Sequence, residues 1–227
     1  MDRLVLFDID KTLLVGSIFH YTALKNAITE VYGIENPPAV ENMQGMTDLK
    51  IICSTLTKEN MDLKTIKLGL DKCMELMYLN FKEALHKKDL TVLDGVKTLL
   101  ENLQKLDVNM GLVTGNMEDI AWLKLEKVGL KKYFLFGGFG DKVLKRSGLV
   151  KNALEASVAK LGVIDKEKIF LVGDTPRDIL GGQKLGVRTV GVATGDFSKD
   201  ELLLAGAEFI FEDLKDTKKV MKIIINC

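Results

Sequence analysis

Two aspartates one residue apart, Asp8 and Asp10, directly follow the short apolar run Leu4-Val5-Leu6-Phe7. Alternate side chains of an extended chain share a face, so both carboxylates are expected to point off the same strand end. Like charges that close repel and raise each other's pKa, which suggests a bound cation or shared acid/base work. Two more polar clusters close apolar runs: Thr114-Gly115-Asn116, and Gly173-Asp174-Thr175-Pro176-Arg177-Asp178. In an open α/β sheet, ligands bind at the carboxyl ends of the strands, so these separated clusters are expected to share one crevice. Up to four carboxylates there need a hard cation, and oxygen-only donors favour magnesium over zinc or copper. With magnesium bound, the natural substrate is a phosphate ester, whose phosphoryl oxygens the metal neutralises while a carboxylate attacks in line.

The elements that must position these residues follow from periodicity. The Leu4 run reads as a strand buried on both faces. After Leu14 the pattern turns helical. Ser17 is expected to cap a helix bearing Phe19, Ala23, Leu24, Ala27, Ile28 and Val31, which Gly33 ends. Pro37 and Pro38 enforce a non-helical connection, and Thr47 or Asp48 caps a second helix carrying Ile51, Ile52 and Leu56. A third run holds Leu63, Ile66, Leu70, Cys73, Met74, Met77 and Phe81, its methionines read as bundle core. Residues 16–88 are therefore expected to form a helical cap domain, inserted into a sheet domain made of 1–15 and 89–227. From Leu90 onward helix and strand alternate, the pattern of a doubly wound parallel sheet, so the fold class is α/β. Strands are expected at 108–113, 168–172, 187–192 and 208–211. A short strand is also expected at 133–136, followed by a flexible Gly137–Gly140 turn.

Bulk properties narrow the partners. The 227 residues hold 32 basic and 32 acidic side chains, so no global field draws the chain to nucleic acid or an anionic membrane. Cys53, Cys73 and Cys227 have no metal-type spacing and fit reduced thiols packed as small hydrophobes in the cytoplasm. No leader segment and no apolar run of about 18 residues is visible. The oligomeric state, monomer or homodimer, stays open.

Together Asp8-Ile9-Asp10-Lys11-Thr12-Leu13, Leu112-Val113-Thr114-Gly115-Asn116, a basic position near 142–146, and Gly173 to Asp178 resemble the haloacid dehalogenase-like (HAD) hydrolase superfamily. Within it, the match is to the phosphoglycolate phosphatase-like group with a helical cap. The resemblance implies that Asp8 is the nucleophile, taking the phosphoryl group while binding Mg2+. It implies that Asp10 is general acid and then general base, with its backbone carbonyl on the metal. Thr114 with the Gly115 and Asn116 amides would hold phosphate oxygens, and Thr12 joins the substrate-binding set. Asp174 is the best further metal ligand, with Asp178 acting directly or through water.

For the superfamily's basic residue Lys142, Lys145 and Arg146 compete. Arg146 is favoured because it enters the following helix at the fitting place, with Lys145 next. Lys11 stands where relatives commonly have glycine, and either reaches the phosphate or points into solvent. Gly45-Met46-Thr47-Asp48 is similar to the cap loop that closes over the substrate, where Thr47 and Asp48 would help choose the leaving group. His20 and His86 are read as surface or packing residues. The implied activity is a magnesium-dependent phosphatase acting on a small phosphorylated metabolite, phosphoglycolate being the family-level choice. A phosphomutase and a catalytically idle binding module are its rivals. Cap closure is expected to hinge near Val15-Gly16 and 88–90.

Overall fold

The computed structural model describes residues 3–16 and 18–226; the expected Ser17 cap and Cys227 lie outside the described residues. Strand β1 (Leu4–Phe7) is buried on both faces, and β2 (Leu14–Val15) begins the excursion into α1 (Ile18–Tyr32), α2 (Asp48–Lys58) and α3 (Leu63–Lys87). The chain returns through β3 (Thr91–Val92), which pairs antiparallel with β2. Exit and re-entry are thus clipped side by side, and Gly16 sits at the clip with φ +100°, a Cβ there lying 2.9 Å from the Asp89 carbonyl oxygen.

The remainder alternates α4 (Val96–Lys105), β4 (Asn109–Val113), α5 (Glu118–Lys127), β5 (Gly137–Gly138), α6 (Arg146–Leu161), β6 (Ile169–Gly173), α7 (Pro176–Leu185), β7 (Arg188–Val192), α8 (Lys199–Leu204), β8 (Phe209–Phe211) and α9 (Thr217–Asn226). The sheet order is β5-β4-β1-β6-β7-β8, parallel throughout. Numbered within the sheet, that is 3-2-1-4-5-6, with the order reversing at β1, the place where doubly wound sheets open a crevice. Val5 and Phe7 pack with Leu99, Leu125 and Val220 on one face. Leu4 and Leu6 pack with Leu149, Val150 and Ala153 of α6 on the other. This period of two with both faces apolar is why the strand reads as a continuous hydrophobic run.

The helical cap has its own core of Phe19, Leu24, Ile28, Ile52, Leu56, Cys73, Met77 and Phe81, which continues into Met117 and Ile120 at the start of α5. The methionine Met77 is core, as periodicity implied.

The short strand lies elsewhere than expected. Residues 131–133 form a 3-10 turn, and the strand is the glycine pair Gly137–Gly138, beside Leu112 and Val113. Aromatic β propensity favoured 133–136, but those rings serve as packing, Phe136 filling the space that Gly111 leaves open. The backbone of α6 comes so close to β5 that a Cβ on Gly138 would lie 1.9 Å from the Leu149 carbonyl oxygen. Only glycine fits there, so glycine marks a strand under a helix and not a loose turn.

Candidate active site

Phe7 is level with Leu112 on one side and Val172 on the other, so Asp8, Thr114 and Asp174 emerge from three adjacent strands at one rim. The Asp8 amide donates to the Val172 carbonyl (2.9 Å), carrying the sheet's pairing up to the site. Pro176 opens α7 and Thr175 caps it in a capping box with Asp178, which draws Asp178 back under the same rim. Oxygens of Asp8, Asp174 and Asp178 all lie within 4.8 Å of one another, and all three residues are buried.

Arg146, the first residue of α6, reaches into this cluster. Its Nη2 donates to Asp8 Oδ1 (2.6 Å) and to the Val113 carbonyl (3.0 Å), while its Nε donates to Asp178 Oδ1 (2.7 Å). The aliphatic stem passes over α7 where Gly181 leaves room, its Cγ 3.2 Å from the place a Cβ would take. Lys145 caps the helix and is exposed, and Lys142 lies at the surface near Asp141. Of the competing cations, only Arg146 meets the aspartates. The other Asp178 oxygen accepts from the Thr175 amide and hydroxyl, so Asp178 spends its lone pairs on Arg146 and on the helix start. Thr12, expected to touch substrate, is buried and donates to Asp174 Oδ1 (3.3 Å), which makes it a support for that carboxylate.

Burial is the largest influence on the charges. It lifts the Asp8 carboxyl to about 7, with Arg146 opposing and Asp178 reinforcing the rise. Burial, then Asp8 and Asp178, lift Asp174 to about 8. For Arg146, burial disfavours the cation, but the carboxylates of Asp178 and Asp8 outweigh it and raise its pKa. Three buried carboxylates facing one guanidinium leave surplus negative charge, and the donors are all oxygen, so the residues present fit a hard divalent cation. The sign of the stability effect follows. Both carboxyls titrate above the unfolded value of 3.8, so their contribution is full below that pH and is lost as pH rises toward 7 and 8. Metal-free protein is therefore expected to melt at progressively lower temperature from pH 5 to pH 8, with Mg2+ restoring most of the loss at pH 8. Differential scanning fluorimetry in EDTA and in Mg2+ checks this, and a flat profile in EDTA contradicts it.

Asp10 does not join the cluster, a departure from the shared strand-end geometry expected of it. The strand stops at Phe7, and Asp10 lies in the turn beyond, bridged to Leu14. Its charge is met by Lys124, whose Nζ is 2.8 Å from each carboxylate oxygen, and by Asn116 Nδ2 (2.8 Å). The expected gathering of four carboxylates is thus three, with the fourth neutralised by an amine. Sequence reading passed over Lys124, counting only apolar residues on α5. The available signal was spacing: Asn116, Ile120 and Lys124 recur every four residues and share a face, which Ile120 shows to be the buried one.

Thr114 Oγ1 accepts from the Asn116 amide (3.3 Å) and Nδ2 (2.5 Å), which leaves its own proton to donate. The cap loop seals this end. Asp48 N donates to the Gly115 carbonyl (2.8 Å), Leu49 N to the Gly140 carbonyl (3.1 Å), and Asp48 Oδ2 accepts from Met117 N (2.8 Å). Met46 lies so close that a Cβ on Gly115 would be 2.1 Å from its carbonyl oxygen. Thr47 caps α2 through Lys50 N (3.1 Å). His20, taken for a packing residue, instead bonds Asp48 and Lys124, whereas His86 is exposed. Lys11, at φ +62°, pairs with Asp196 (2.6 Å).

Known proteins share this arrangement. The chain is 26% identical to pyrophosphatase PpaX of Oceanobacillus iheyensis over 94% of each chain. It is 24% identical to the glyceraldehyde 3-phosphate phosphatase of Methanopyrus kandleri over 88% of each. Its fold superposes on a hydrolase from Pseudomonas syringae with a TM-score of 0.73 at 22% identity, covering 98% of this chain and 99% of the other. No helix of the described residues is long and apolar enough to cross a membrane. The model for haloacid dehalogenase-like hydrolases matches residues 5–192, from the first strand through β7, and the chain belongs to that family.

Proposed function

We propose that this protein is a magnesium-dependent phosphatase that hydrolyses a small phosphorylated metabolite through an aspartyl-phosphate on Asp8. The observation that carries the reading is Arg146 bonded at once to Asp8 and Asp178 inside a buried three-aspartate cluster at the sheet's switch point. A structural ion pair needs no surplus of buried negative charge, whereas phosphoryl transfer uses such a site to hold a cation.

Each residue has a task in this reading. Arg146 holds Asp8 Oδ1, which leaves Oδ2 to attack phosphorus as the bond to the leaving oxygen breaks. The Thr114 hydroxyl and neighbouring amides bind the phosphoryl oxygens and fix the line of attack. Asp10 gives its proton to the leaving oxygen, then takes one from the water that cleaves the aspartyl-phosphate. Magnesium, held by Asp8 and Asp174, with Asp178 behind them and the Asp10 carbonyl beside them, supplies neutralisation of the phosphoryl charge. The seated cap loop keeps other water away while the first step runs.

Relatives act on pyrophosphate and on glyceraldehyde 3-phosphate by name, so the substrate class is a small phosphate compound and not one ester. The test is release of inorganic phosphate from a panel of phosphorylated metabolites that includes phosphoglycolate. Turnover is expected with Mg2+, at least about 100-fold above that in EDTA. Metal-independent turnover, or tight binding of a panel member without phosphate release, overturns the proposal.

A further inference from the structure

Lys124 lies in the middle of α5 and none of its side chain is exposed. A buried ammonium persists only where acceptors surround it, and here they come from both halves of the molecule. On the sheet side its Nζ donates to both oxygens of Asp10 and to Asn116 Oδ1 (2.7 Å). On the cap side it donates to His20 Nδ1 on α1 (3.1 Å) and lies 5.7 Å from the centre of the Phe81 ring on α3. An ammonium only donates, so His20 Nδ1 accepts, and Nε2 then carries the proton directed at Asp48 Oδ2 (3.1 Å). Asp48 in turn accepts from Met117 N, at the start of the helix that carries Lys124. The path from Asp10 through Lys124, His20 and Asp48 to Met117 starts and ends on the sheet domain, and crosses the cap between.

We propose that Lys124 is a positioning residue for Asp10, and that its bond to His20 makes the aim of Asp10 depend on the cap being seated. The inference rests on the reading of Asp10 as proton donor. In the first step the bond from Asp8 to phosphorus forms, the phosphorus–leaving oxygen bond breaks, and the Asp10 proton moves to that oxygen. The carboxylate left behind is the form that Lys124 and Asn116 grip. With the cap lifted, His20 and Phe81 withdraw from the ammonium, and Asp10 loses a fixed direction before substrate is enclosed. An open enzyme then holds its nucleophile in place through Arg146 but not its acid, which disfavours reaction until the leaving group is covered.

The test compares kcat/KM for p-nitrophenyl phosphate, whose leaving group needs no proton, with that for an alkyl phosphate, whose leaving group does. In Lys124→Met the alkyl phosphate is expected to lose about 100-fold or more and p-nitrophenyl phosphate less than about 10-fold. Asp10→Asn is expected to show the same selective loss, and the double variant to be no worse than Asp10→Asn alone. His20→Gln is expected to shift the ratio the same way by about 5- to 20-fold, with Lys124→Arg between it and wild type. Should Lys124→Met fail to fold, these two variants decide on the same ratio. Equal losses on both substrates, or additive losses in the double variant, overturn the role of Lys124. A lack of leaving-group dependence in Asp10→Asn overturns the underlying reading of Asp10 instead.

Discussion

Asp8→Asn is expected to lower kcat for p-nitrophenyl phosphate by about 10³- to 10⁵-fold while leaving the fold intact. The amide cannot attack phosphorus, and no other carboxylate can take over. Asp174 Oδ1 is bonded by Thr12, Asp178 is bound on both oxygens, and Asp10 is turned to Lys124. Stability is expected to hold or to rise slightly. Asp8 is buried and its carboxyl is pushed up to about 7, so replacing it by a neutral isostere removes a charge the site tolerates poorly. Asn Oδ1 still accepts from Arg146, which keeps its bond to Asp178. A melting temperature equal to or above wild type, beside the lost turnover, separates a chemical defect from unfolding. Residual activity above about one tenth of wild type contradicts the nucleophile's assignment.

Why some of this site was readable before any coordinates, and some not, has a physical explanation. The sheet strands before Asp8, Thr114 and Asp174 announce themselves because two-sided burial leaves unbroken apolar runs. Parallel register then brings their ends together whatever the loops do. The cap helices show through their three- and four-residue stripes, now the core around Ile52, Met77 and Phe81. Features decided by long-range contact left no such local trace. The ladder of β2 and β3 is two residues on each side, and β5 is a glycine pair chosen by the approach of α6. Lys145 and Arg146 differ by about 100° around a helix start, so which one turns inward depends on where the α6 axis runs. The direction of Asp10 and the burial of Lys124 and His20 are settled jointly by two helices and a turn that are far apart in sequence. Local pattern sees each only as a polar residue beside an apolar face.

Arg146→Met is expected to be the most damaging single change to stability. The side chain retains apolar length to lie along Gly181, but Asp8 and Asp178 lose the cation between them, inside a rim already rich in negative charge. Removing one member of a buried ionic cluster typically costs about 3–5 kcal/mol, far above the usual worth of a surface pair. Urea unfolding in EDTA at pH 8 is expected to show a loss of that size. The loss is expected to shrink by pH 5.5, because Asp8 and Asp174 titrate near 7 and 8 and accept protons in place of the missing guanidinium. Arg146→Lys separates charge from geometry. A single ammonium restores the sign but cannot span from Asp178, through the position of Nε, to Asp8 and the Val113 carbonyl at that of Nη2. It is expected to recover most of the stability at pH 8, yet to remain about 10²-fold below wild type in turnover, because Asp8 is no longer held for attack. If Arg146→Met loses less than about 1 kcal/mol at pH 8, the guanidinium is not the counter-charge for the buried aspartates. The surplus of negative charge from which the metal site is inferred would then need another origin.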